Sequence, residues 1–145
     1  MLKVGAVLLS LWSGLNLLVA LGVTATTLAG RPPPALGFLF DDTTINQLDP
    51  RVLAVINAQA LVANPLIVAL CGLTLLVLWQ GVMRGARWAW AALCFTLLPV
   101  QLFGFVSDTQ LGGKNLAANV VSSLVLVAGL VLCAPRVRAD TRGAG

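Results

Sequence analysis

Three carboxylates lie close together in the stretch RPPPALGFLFDDTTINQLDP, residues 31–50: Asp41, Asp42 and Asp49. Clustered carboxylates suit two chemistries, coordination of Ca²⁺ through about six to eight oxygens and general acid–base work. The spacing matches no EF-hand loop, because there is no D-x-D-x-D-G order and no closing glutamate. Capping is the simpler expectation. Asp42 suits the start of a short helix, and Asp49 suits the N-cap of a helix whose first residue is Pro50.

A second set of residues is polar but uncharged. Asn57 and Asn64 are seven apart, as are Gln101 and Asp108, so each pair falls on one helical face. Asn115, Asn119 and Ser122 form a similar stripe with Ser123 at its edge, and Asn16 aligns with Thr27, flanked by Thr24. An unpaired amide in hydrocarbon costs several kcal/mol, so these stripes are expected to face one another. They can serve as interhelical glue worth about 0.6 kcal/mol per bond. The alternative is a neutral, hydrogen-bonding pocket for a lipid-like or small uncharged ligand, lined by Asn57, Asn64, Gln101 and Asn119.

Several chemistries lack their residues. The chain has no histidine and no tyrosine, which removes a Ser/His/Asp triad, a histidine-ligated haem and a tyrosine acid. No phosphate-cradling glycine motif is present. Cys71, Cys94 and Cys133 form no C-x-x-C pair and read as small apolar residues rather than metal ligands. No cofactor and no metal is therefore expected. The first helix lacks the glutamate of small multidrug transporters, and the first loop lacks the Trp and Cys pattern of claudins.

The elements that must position these groups follow from composition. Of 145 residues, 59% are hydrophobic and 10% charged, against about 25% charged in a soluble domain. No charge falls within 4–29, 52–82, 88–107 or 115–134. Each stretch reaches the ~20 residues needed to cross a ~30 Å hydrocarbon core. The expected fold is all-α, a polytopic four-transmembrane-helix bundle forming one membrane domain over 1–145. Its spans are 4–29, 51–82, 88–107 and 115–134, with a loop over 30–50 and a tail over 135–145. No Asp, Glu, Lys, Arg or His lies inside the four charge-free stretches, which argues against a proton-coupled carrier. Lys3 precedes an apolar run far longer than a signal h-region, so the first span is expected to remain uncleaved.

The net charge of +4 is no nucleic-acid footprint, because its basic residues flank the apolar stretches. Lys3, Arg84, Arg87, Arg136, Arg138 and Arg142 fall at ends on one side, whereas Arg31, Arg51 and Lys114 fall on the other. The positive-inside rule then places both termini and the 83–87 turn in the cytoplasm, with the 30–50 loop outside. Trp79, Trp88 and Trp90 bracket that turn at headgroup depth. A bacterial inner membrane is the expected location.

Local signals mark the ends. RPPP cannot continue the first helix, Pro65 and Pro99 are expected to kink the second and third, and Pro135 is expected to stop the fourth. Ala6, Ser10 and Gly14 recur every four residues and predict a face of close helix packing. The loop is long for adjacent helices, and Leu36, Phe38, Leu39 and Phe40 give it an apolar patch suited to a lid or a partner contact.

Three functions remain. The first is a non-catalytic accessory or assembly subunit that packs in the lipid bilayer against a larger membrane protein or a second copy. The second is a binding or transport module for a neutral or lipid-like ligand. The third, an enzyme using the loop aspartates, has the least support.

Overall fold

The structure is a computed structural model that describes residues 1–32, 45, 47–110, 112 and 115–139, of which 135–139 are described by backbone alone. Four long helices account for nearly all of it: α1 Leu2–Leu28, α2 Pro50–Gln80, α3 Arg87–Gln110 and α4 Leu116–Ala139. A 3-10 turn at Val82–Arg84 joins α2 to α3, and no strand occurs among the described residues. All four helices are long and apolar enough to cross a membrane.

The helix ends follow short-range chemistry. At the start of α2, the Arg51 N–H donates to Asp49 Oδ1 at 2.8 Å. This is an N-cap, with Pro50 at the first helical position as its missing N–H allows. Gly30 ends α1 at φ +75°, where Gly30 N–H bonds Thr27 O and Arg31 N–H bonds Thr26 O. Gly85 repeats the device after the 3-10 turn at φ +82°, with bonds from Gly85 to Val82 O and from Ala86 to Gly81 O. Both are left-handed glycine caps that satisfy terminal carbonyls.

α2 and α3 run through Pro65 and Pro99 as single helices, as spans containing those prolines require. Pro135 does less than expected. α4 does not stop at Ala134 but continues through Pro135 to Ala139. A proline near a helix end removes one backbone bond at a place where little helix depends on it. α2 has 31 residues, about 47 Å at 1.5 Å per residue, so it exceeds a ~30 Å hydrocarbon core.

The chain forms two compact units, Met1–Gly14 with Gly72–Gly145, and Leu15–Cys71. The first unit holds the core. Leu2, Ala6, Leu9 and Trp12 of α1 pack with Leu78 and Val82, with Ala89, Leu93 and Leu97 of α3, and with Leu126, Leu130 and Cys133 of α4. On each helix these residues recur at three- or four-residue spacing, which is one helical face. Elsewhere large apolar side chains point outward, Phe95 being 83% exposed while Leu9 is wholly buried.

Two glycine contacts set the closest approaches in that unit. A Cβ on Gly5 would lie 2.8 Å from Gly129 O and 2.9 Å from Cys133 Sγ, and one on Gly129 would lie 2.7 Å from Leu9 Cγ. A Cβ on Gly81 would collide with Ala89 Cβ and lie 2.7 Å from Val77 O. The expected small-residue stripe on α1 is thus displaced. Ala6 is buried and Ser10 accepts a bond from Trp79, but Gly14 has open space where a side chain would be.

Among the described residues of the second unit the buried side chains are few: Ala20, Thr27, Ile45 and Cys71. Its polar groups mostly return to their own helix. Thr24 Oγ1 donates to Ala20 O, and Thr26 and Thr27 both donate to Val23 O.

Candidate functional site

The polar residues singled out in the sequence divide between the two units. In the first unit α3 and α4 bring Gln101 and Asn119 together, with Gln101 Nε2 donating to the Asn119 carbonyl at 3.3 Å. That carbonyl also accepts from Ser123 Oγ at 2.8 Å. One turn earlier, the Asn115 carbonyl receives the Asn119 N–H, and the Asn115 N–H donates to Asp108 Oδ1 at 3.0 Å. Asp108, Gln101, Asn115 and Asn119 therefore share one α3–α4 seam. Further along α4, Ser122 Oγ accepts a 2.8 Å bond from Trp12 Nε1 of α1.

Asp108 corrects an expectation. α3 continues past residue 107 to Gln110, so this candidate membrane span includes a carboxylate. Asp108 is only 4% exposed, and its Oδ2 is buried without a hydrogen-bond partner. Its other oxygen ties the end of α3 to the beginning of α4, where a negative group complements the helix dipole.

In the second unit Asn57 and Asn64 lie on α2, two turns apart. Asn64 Nδ2 donates to Ala60 O on its own helix at 2.9 Å, whereas Asn57 Oδ1 is buried with no partner. On α2 Val55, Ala58, Gln59, Val62, Ala63 and Leu66 line a shallow, open depression. Gln59 is its only polar residue, and the spacing of three and four marks a single helical face.

Three tryptophans carry bonds that residue type alone did not announce. Besides Trp12, Trp79 Nε1 donates to Ser10 Oγ at 3.2 Å and Trp90 Nε1 donates to Leu130 O at 3.0 Å. The available signal was the indole itself, which seeks an acceptor when it is partly buried. Trp88 remains largely exposed, at 67%.

Leu36, Phe38, Leu39 and Phe40, together with Asp41 and Asp42, lie outside the described residues. Asp49 is described, and its carboxylate serves as the α2 cap. Among the described residues no group of three or more His, Cys, Asp or Glu side chains is placed to hold a metal ion. No disulfide joins Cys71, Cys94 and Cys133 to one another. Comparison of the chain with protein-family models, with curated proteins and with solved structures finds no match.

Proposed function

We propose that the chain is a multi-pass membrane protein, both termini cytoplasmic and in a bacterial inner membrane, that acts as an accessory or assembly subunit against a larger membrane partner. The observation that carries this is the open α2 face lined by Val55, Ala58, Gln59, Val62, Ala63 and Leu66. Its small residues, Ala58 and Ala63, would let a second helix approach closely, as at membrane helix contacts. Gln59 supplies one amide able to both donate and accept. The uneven distribution of Lys and Arg between the two sets of helix ends supports the threading.

A second function draws on one different observation. The buried, unpartnered Asn57 Oδ1 would suit a hydrogen-bond donor from a neutral, lipid-like ligand.

The test is affinity purification from native membranes in lipid nanodiscs, followed by mass spectrometry of proteins and lipids. A second membrane protein at fixed stoichiometry, lost in Ala58→Leu with Ala63→Leu, supports the accessory role. A lone chain retaining one small molecule, released by Asn57→Ala, would replace it with the binding-module function.

A further inference from the structure

We propose that the basic end of the first unit holds an anionic phospholipid, its phosphate at Arg84 and Arg87 and an acyl chain along the outward face of α3. Lipid capture here requires the chain to sit in a bilayer, as proposed above, but needs no protein partner. Several passages of the chain converge at this end. Gly5 of α1 lies against Gly129 and Cys133 of α4, Gly81 lies against Ala89, and Leu2, Val82 and Ala89 belong to one buried cluster. Lys3, Arg84 and Arg87 are thereby carried to the same end, and all three are exposed. α4 continues past Cys133 to Ala139 and brings Arg136 and Arg138 along its backbone.

The acidic residues among those described lie elsewhere. Asp49 belongs to the second unit, and Asp108 falls in the last turn of α3. That turn is about 32 Å from Arg87 at 1.5 Å per residue. Basic residues gathered at the end of membrane-length helices attract anionic headgroups. Arginine suits a phosphate in particular, because its planar fork donates to two oxygens at once.

A free anion would answer the charges alone, and the surface beyond them is what selects a lipid. Arg87 shares one helical face with Ala91, Phe95, Leu98 and Leu102, and every one of them is exposed. This apolar strip extends about 22 Å from Arg87, more than the ~15 Å that is half of a ~30 Å hydrocarbon core. Trp88 beside Arg87 and Trp79 near the end of α2 are exposed as well, and indoles favour headgroup depth. Cations, interfacial rings and apolar strip thus follow one another in the order of a phospholipid's phosphate, glycerol and chain.

The experiment reconstitutes the full chain in phosphatidylcholine nanodiscs. These contain phosphatidylglycerol or phosphatidylcholine with brominated acyl chains at equal mole fraction, and tryptophan quenching is followed. Trp79, Trp88 and Trp90 report from the basic end. Brominated phosphatidylglycerol is expected to quench at the lower mole fraction, by about fivefold for each arginine engaged, and the preference should shrink as salt rises. Arg84→Gln with Arg87→Gln should abolish it, and an unchanged unfolding midpoint shows that this exposed pair is not needed for folding. Arg51→Gln, in the second unit, should leave the preference intact. Equal quenching by the two lipids, or a preference that survives the double substitution, would overturn the site. So would a preference removed by inorganic phosphate at constant ionic strength, since the site would then take a free anion. Quenching by neither lipid would sink the membrane assignment and the lipid site together, which separates that failure from the others.

Discussion

The two units differ in how far their polar side chains reach. In the first, Trp12, Trp79, Trp90 and Gln101 send donors across to another helix, while Thr96, Thr109 and Ser123 bond their own. In the second, Thr24, Thr26, Thr27 and Asn64 bond carbonyls three or four residues back on their own helix. A helix can thus satisfy its hydroxyls and amides without a neighbour. Counting polar residues in an apolar sequence therefore overstates the number of interhelical ties. Packing differs in the same sense. The first unit joins α1 to α4 at glycine contact distance, whereas residues 50–70 of α2 include none that is fully buried.

Substitutions in the two units probe that contrast, each read as thermal or denaturant unfolding in nanodiscs. The largest effect is expected from Leu126→Ala, which empties a fully buried site and should cost about 2–5 kcal/mol. Leu66→Ala, on the exposed α2 face, should change stability by less than about 0.5 kcal/mol. Equal losses would show that α2 is as tightly packed as the core.

Next in size are Gly5→Ala and Gly129→Ala, whose new methyl groups meet backbone or Leu9 at under 3 Å. Each is expected to lower stability by about 1–3 kcal/mol. Gly22→Ala, where a methyl meets open space, should raise it by up to about 1 kcal/mol through helix propensity. The opposite signs make this pair the sharpest discriminator.

Trp12→Phe keeps the aromatic ring and removes the donor to Ser122, for an expected loss of about 1 kcal/mol. A double-mutant cycle with Ser122→Ala should return that coupling, and a coupling of zero would break the assignment. Smallest of all is Asn64→Ala, which removes only a bond to its own helix and should fall within about 0.5 kcal/mol. A loss as large as that of Trp12→Phe would mean that Asn64 has a partner beyond α2.

Much of the local structure was legible in advance. Asp49 and Pro50 mark the beginning of α2, and Gly30 ends α1, because capping depends on neighbours within a few residues. Pro135 misled, since a proline signals a break without saying how much helix lies beyond it. The seam was half legible: seven-residue spacing aligned Gln101 with Asp108 and Asn115 with its neighbours. Burial of Asp108 was not, because placing the boundary at 107 put its carboxylate outside the span.

By itself the sequence determined four charge-free stretches long enough to cross a membrane, their order, and most of their ends. These are one-dimensional quantities, set by chain length and by contacts within a turn. Which face of each helix packs was decided only by tertiary structure. The helices are apolar nearly all the way round, so no hydrophobic stripe distinguishes an inward side. That is why Gly5 and Gly14 look alike in sequence, yet one meets the α4 backbone and the other meets open space.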